Sequence, residues 1–350
     1  MDKIDLAESH ISHVITHFVG NRGKAQTLKL SSGLTFVPVD TWDFFKRYLF
    51  SSFKLEEYFG FHHKEALEMN SVYSIVQNIF TDQSTFVDDS SQLAELLYEV
   101  SVHPKVEEGE LTVVYMKNIK IGENFVDAVG IFKSESESAF LKYNHKESHY
   151  EVSTDFGYDV NKVDKGCLII NTNADDGYDV VIVDHKSKGE EARFWKDSFL
   201  GLKPIENDFF QTKVAMEVAK AFVESPVTSD LEMGLTEQIE LLNKSSEYFQ
   251  NTDSFERGTF EEAVFNNDEN LVMGFRNYEE NLSAEQNIEF PTNFEISKPA
   301  VKKNNKIFRS ILKLDKNFSI YIHGDRDRAE RGEDDNGKFY KFYYDEERYE

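Results

Sequence analysis

Between Gly109 and Tyr143 the chain reads GELTVVYMKNIKIGENFVDAVGIFKSESESAFLKY, and this stretch limits the possible folds more than any other. It predicts two strands, Leu111–Met116 and Val126–Lys133, joined by a polar turn at Gly122-Glu123-Asn124. Val113, Val114, Val126, Val129, Ile131 and Phe132 supply the β-branched and aromatic side chains that a half-buried ribbon requires. The hairpin is a core element and carries no catalytic constellation. The residues after it, Ser134–Tyr143, read as a short turn or helix bearing Phe140 and Leu141.

The flanking sequence builds an α+β domain around this hairpin. His10–Val19 and Thr27–Leu30 predict strands about a Gly20-Asn21-Arg22-Gly23 turn. Asp40 is placed to cap a helix through Phe53, with Trp42, Phe45, Leu49 and Phe53 on one face. Further helices are expected over Glu65–Phe80 and Asp89–Val102, the second ending before Pro104. Short strands are expected at Leu55–Phe61 and Tyr150–Ser153. Cys167–Asn171 and Tyr178–Asp184 predict a second hairpin around Asp176-Gly177. Ala192–Leu200 and Asn207–Val223 then read as helices. With 350 residues, 40% of them hydrophobic and 14% aromatic, the chain can fill two cores. No apolar run reaches the roughly 20 residues of a membrane helix, and the polar start MDKIDLAESH carries no signal-peptide pattern. These features predict a cytoplasmic protein.

Charge divides the second half. The stretch Ser225-Pro226-Val227-Thr228 marks the expected boundary between a domain of residues 1–226 and one of 227–350. Residues 229–296 hold sixteen acids against Lys244, Arg257 and Arg276, a net of 3 − 16 = −13. Helices are expected there over Leu231–Gln250, Thr259–Asn266 and Glu269–Tyr278. Residues 297–316 reverse the sign, with seven cations against Asp315, a net of 7 − 1 = +6. Ile307, Ile311, Leu312 and Leu314 alternate with these charges, which predicts one buried and one basic face. Strands Phe318–His323 and Phe339–Tyr344 close the chain as a hairpin around a long charged loop. The expected class is therefore α+β: a mixed or antiparallel sheet with flanking helices, then a helical segment, then a small β-hairpin region.

Candidate chemistry is sparse. His10, His13 and His17 are spaced to share a helix face, but the residues between them are strand formers, so ordinary strand histidines are expected. Cys167 opens an apolar strand and reads as a small buried hydrophobe; as the sole cysteine it excludes an internal disulfide. Asp164, Asp175, Asp176 and Asp184 flank the second hairpin. A Mg-dependent nuclease would need about three of them to converge with Lys165 or Lys186, whereas turn chemistry accounts for Asp175-Asp176-Gly177 without a metal. There is no GxxxxGK[ST] or GxGxxG motif, and no cofactor is expected. The basic stretch 297–316 reads either as a phosphate-contacting ridge or as a solvated element balancing the acids before it, and composition alone favours the second. The acidic segment reads as a soluble helical surface, the more common outcome, or as a docking face for a basic partner or a DNA-mimicking face. The net charge of −25 requires that any contact with DNA be confined to a segregated basic surface.

Several phrases carry a family resemblance. VDAVGIFKSE at Val126–Glu135 is followed by FLKY, and VDKGCLIIN at Val163–Asn171 by DDGYDVVIVD. ARFWKDSFL at Ala192–Leu200 precedes NDFFQTKVAMEVAKAF. SILKLDKNFSIYIHGD at Ser310–Asp325 and NGKFYKFYY at Asn336–Tyr344 close the chain. In this order they resemble the bacterial nucleoid-associated protein family, the NdpA/YejK-like group. The resemblance implies a non-enzymatic protein of the cytoplasm and nucleoid that binds DNA as a homodimer, with links to topoisomerases and chromosome-organising machinery. It brings no catalytic motif. The residues expected to contact DNA are Lys302, Lys303, Lys306, Arg309 and Lys313, with Lys213 and Lys220 behind them. The alternative is an acidic interaction module recruited to the nucleoid through a DNA-processing partner such as a topoisomerase.

Overall fold

The computed structural model describes residues 4–185, 194–230, 233–286, 290–308, 310–314, 318–322, 329–334 and 337–346. The chain divides into two compact units, Met1–Ile205 and Glu206–Glu350.

The first unit is built on a sheet of β1 (Ile4–Asp5), β2 (His10–Val19), β3 (Leu28–Lys29), β4 (Phe59–Phe61), β5 (Gly109–Ile121) and β6 (Asn124–Ser134). Two further strands, β7 (Ser138–Lys146) and β8 (His149–Gly157), form a separate hairpin. The sheet continues with β9 (Lys165–Ile170), β10 (Asp179–Asp184) and β11 (Leu202–Pro204). Its order is β11-β4-β10-β9-β6-β5-β2-β3, with β1 against the end of β5, and every pair is antiparallel. The β5–β6 ribbon lies in the middle of the sheet, a core element as its β-branched and aromatic content predicts. It closes through Gly122-Glu123, with Ile121 opposite Asn124 and Gly122 at φ 57°, a left-handed conformation that glycine adopts without a Cβ penalty.

Successive strand residues point to opposite faces, and here both faces are covered. Val113, Val129, Cys167 and Ile169 belong to one core with Val76, Ile79, Leu93 and Leu97, from helices α2 (Ser71–Thr81) and α3 (Phe86–Val100). Val114, Ala128, Leu168 and Val181 belong to the other, with Leu49 of α1 (Trp42–Phe50). Double coverage makes the central strands read as apolar runs rather than as alternation. Asn70 fixes one corner: its Oδ1 accepts from Tyr73 N at 3.0 Å to cap α2, and its Nδ2 donates to Leu200 O at 2.9 Å. Leu200 ends a π-helical turn, Phe194–Leu200, within the short helix expected over Ala192–Leu200; Ala192 itself lies outside the described residues.

Two other local expectations change. Asp40 sits inside a 3₁₀ turn, and Thr41 precedes α1 without a side-chain cap. The segment read as a turn or helix carrying Phe140 and Leu141 is the strand β7. Its Leu141, Tyr143 and His145 alternate with Lys142, Asn144 and Lys146, a period of two that suits its pairing with β8.

The second unit begins with α4 (Asp208–Val223), capped by Asn207 Oδ1 accepting from Phe210 N at 3.1 Å. It continues with α5 (Pro226–Asp230), α6 (Leu235–Asn251), α7 (Arg257–Phe265), α8 (Glu269–Gln286) and α9 (Lys298–Asn304). Leu231, the expected start of α6, lies outside the described residues. Strands β12 (Ser254–Glu256) and β13 (Asn293–Glu295) pair within the helical part. The core is rich in phenylalanine: Phe222, Phe249, Phe255, Phe260, Phe265, Phe275, Phe294 and Phe308 are buried together. Because α4 places Met216, Ala219 and Phe222 in that core, the observed division precedes α4. The expected one at residue 226 follows it, and the Ser225–Thr228 stretch runs into α5.

The closing β region also differs from expectation. It forms two hairpins: β14 (Ser310–Leu314) with β15 (Phe318–Ile322), and β16 (Ala329–Asp334) with β17 (Gly337–Phe342). The strand at Phe318 therefore pairs with its immediate predecessor, not with Phe339–Tyr344. His323 and residues 324–328 of the expected loop lie outside the described residues, while residues 329–334 are strand.

Candidate nucleic-acid interface

Residues 298–308, KPAVKKNNKIF, contain four lysines and no acid. Ser297 starts α9, its Oγ accepting from Ala300 N at 3.4 Å, with proline in the first turn, where a missing N–H costs nothing. The helix lasts seven residues and tightens into a 3₁₀ turn over Asn305–Phe308. Ala300, Val301 and Phe308 are buried, while Lys302, Lys303 and Lys306 are exposed. As far as Phe308 the segment has one buried and one basic face, but it is Ala300, Val301 and Phe308 that are buried, whereas Ile307, from which that expectation is drawn, is half-buried. Beyond Phe308 the segment becomes the strand β14, so 297–316 is not a single element.

Polar contacts hold this segment on the second unit. Ser297 N donates to Thr212 Oγ1 of α4 at 2.9 Å. Asn305 Oδ1 accepts from Ser246 Oγ at 3.0 Å and from Gln250 Nε2 at 3.1 Å, both on α6. Lys303 Nζ lies 5.5 Å from the centre of the Phe209 ring, a cation–π contact. Among the described residues no carboxylate pairs with Lys302 or Lys306.

The other predicted cations have different fates. Lys213 follows Thr212 on α4 and is half-buried. Lys220, seven residues on and about 10 Å further along the helix axis, pairs with Glu224 at 3.6 Å. Lys313 lies in β14 opposite Ser319. Arg309, Asp315 and Lys316 lie outside the described residues. Lys298 is engaged structurally: its Nζ donates to the Gln250 and Thr252 carbonyls at the end of α6 and meets Asp253 at 3.1 Å. Lysine at a helix C-terminus is favoured by the exposed carbonyls there, but this contact joins positions far apart in the chain and no local spacing signals it.

The acidic segment neutralises its own cations. Arg276 forms a two-point pair with Glu261, at 2.8 and 2.6 Å. Arg257 meets Glu279 at 2.9 Å, and Lys244 meets Glu240 at 3.0 Å. Burial nonetheless raises the Glu279 carboxyl to about 7. Glu237, Glu240 and Asp268 rim a cleft of about 520 Å³ whose wall includes Met233, Leu241, Val264 and Leu271.

The remaining candidate groups are placed as structural parts. Asp164 and Asp184 lie at one end of the β9–β10 hairpin, where Asp184 opposes Lys165. Asp175 and Asp176 form a 3₁₀ turn at the other end, about 17 Å away along the six-residue strands. Asp164 Oδ2 accepts from the Glu135 and Ser136 backbones at 2.7 and 3.0 Å. Lys165 and Lys133 both reach the buried Glu135, at 2.6 and 3.1 Å. Among the described residues no group of three or more His, Cys, Asp or Glu is arranged to hold a metal; Lys186 lies outside them. Cys167 is fully buried, which pushes its thiol well up from the ordinary value and leaves it inert. His10 is exposed, whereas His13 packs on Phe86 and His17 on Ser90, both residues of α3.

Residues 15–348 match the family model described as nucleoid-associated protein YejK. No curated protein matches the chain.

Proposed function

Because the chain belongs to the nucleoid-associated protein YejK family, we propose that it works at the bacterial nucleoid as a non-enzymatic, DNA-binding homodimer. The observation that carries this reading is the segment 298–308, where Lys302, Lys303 and Lys306 face solvent on a base of buried apolar residues with no acid between them. Lysines on such a ridge contact phosphate and read little sequence. Two copies would bring two ridges to one duplex, with Lys213, Lys220, Arg309 and Lys313 as supporting contacts. Binding is then local, sequence-tolerant and salt-sensitive, which suits a chain of net charge −25.

A gel shift on short duplexes of unrelated sequence tests this. The variant Lys302→Glu/Lys303→Glu/Lys306→Glu should bind at least about tenfold more weakly at low salt, with the same loss on every duplex. Unchanged affinity would remove the ridge. The uncompensated acids of residues 229–296, net −13 with all three cations already paired, and the acid-rimmed cleft favour a second reading, a docking face for a basic partner such as a topoisomerase or another chromosome-organising protein. That reading predicts no shift by the purified protein, but retention of the partner on the immobilised chain.

A further inference from the structure

The β7–β8 hairpin is a two-stranded sheet of its own, and nearly all its residues are exposed. Its register pairs Ala139 with Phe156, Leu141 with Thr154, Tyr143 with Val152 and His145 with Tyr150. Opposed residues share a face, so these eight side chains make one continuous strip. The alternate pairs, Phe140 with Asp155, Lys142 with Ser153, Asn144 with Glu151 and Lys146 with His149, make the opposite, charged face. The ribbon is therefore amphipathic, with an apolar side that the rest of its unit leaves open: Leu141 is 62% exposed, Tyr143 65%, Tyr150 66%, Val152 55% and Phe156 63%.

We infer that this strip is the homodimer interface, closed by the same strip of a second copy. The inference deepens the function proposed above by naming the surface through which two copies associate. Three features select a second copy as the occupant. The strip holds no Lys, Arg, Asp or Glu, so two copies can meet across it without like charges facing each other, although the chains carry −25 each. A two-fold pairing would set the strip against itself, residue i meeting j and j meeting i, so that exposed apolar side chains cover one another. The area also suits a dimer. Three aromatic residues offering roughly 200 Å² each at about two-thirds exposure supply on the order of 400 Å². Leu141 and Val152 bring the strip towards the roughly 800 Å² per partner of a standard interface. A duplex is the poorer occupant, because residues 138–157 hold Lys142 and Lys146 against Glu147, Glu151 and Asp155, a net of 2 − 3 = −1.

Light scattering on the full chain tests the interface. The wild-type protein should have twice the monomer mass of 40.6 kDa. Leu141→Glu/Val152→Glu should return it to monomer mass with an unchanged circular-dichroism spectrum, and Lys142→Glu on the charged face should leave the dimer intact. Because the sole native cysteine, Cys167, is buried, Val152→Cys introduces a single reactive thiol. A short bismaleimide should then couple two copies, and this variant decides the matter if the glutamate pair fails to fold. A monomeric wild type, a dimeric glutamate variant, or no coupling through Val152→Cys would overturn the inference. Loss of duplex binding in a glutamate variant that stays dimeric would overturn it too, assigning the strip to DNA. A monomer that still shifts DNA sinks only the interface, whereas a dimer that shifts none sinks only the proposed DNA contact.

Discussion

His17 shows how a neighbour decides what a residue does. Its Nδ1 accepts from Ser31 N at 3.1 Å, so the proton sits on Nε2, which donates to Ser90 Oγ at 3.0 Å. Burial lowers its pKa from 6.5. The unfolded chain therefore takes up a proton near pH 6.5 while the folded one does not, and stability is lost as pH falls below that value. Urea unfolding should show this loss, at most about 1.4 kcal/mol per pH unit from this one group, and His17→Gln should remove that share of the slope. An unchanged pH dependence in His17→Gln would clear the residue of the role. That the three histidines sit on a strand was legible in the residues between them. The Ser31 and Ser90 contacts were not, because they join positions 14 and 73 residues away.

Among the elements, hairpins were read best where turn chemistry is local. Asp176-Gly177 predicted the β9–β10 turn, and Gly177 has φ 96°. A Cβ there would lie 2.3 Å from the Phe61 carbonyl oxygen, while Gly177 O accepts from Phe61 N at 2.8 Å. Gly177→Ala should therefore destabilise the first unit by roughly 1–3 kcal/mol, read as a lower unfolding midpoint. An alanine variant of native stability would show that the β4–β10 junction yields easily. The strand β7 was missed because Phe140 and Leu141 are adjacent, which hides the alternation of Leu141, Tyr143 and His145 when only a few residues are weighed. The closing β region differs from its sequence expectation because strand pairing depends on which partner is nearest in space, and the charges alternating through residues 310–314 disguise a strand that pairs with Phe318–Ile322.

For the whole molecule, the governing quantity is charge distribution. A chain of net −25 can meet a duplex only where its cations are clustered, so salt should govern binding strongly. Each phosphate neutralised contributes about 0.9 to the slope of log K against log salt. Lys302, Lys303 and Lys306 should accordingly contribute about 2.7 in a monomer and about 5 in a dimer engaging both ridges. Comparing the triple glutamate variant with the wild type measures that difference, and a difference near zero would place the contacts elsewhere.

From the sequence alone followed the α+β class, the central β5–β6 ribbon, the helix-rich acidic segment, the acid-free run of lysines and the family. All of these are encoded in residues close together: periodicity, turn residues, local charge and phrase order. Only the tertiary structure decided that both sheet faces are covered, that α4 joins the second core, that Lys298 is consumed at the end of α6, and that β7 and β8 leave an apolar face open. These depend on contacts between distant positions, and a side chain's burial is set by what packs over it rather than by its neighbours in the chain. The ribbon at Gly109–Ser134 was legible because it is local; the exposed strip next to it became visible only once register had put its two strands side by side.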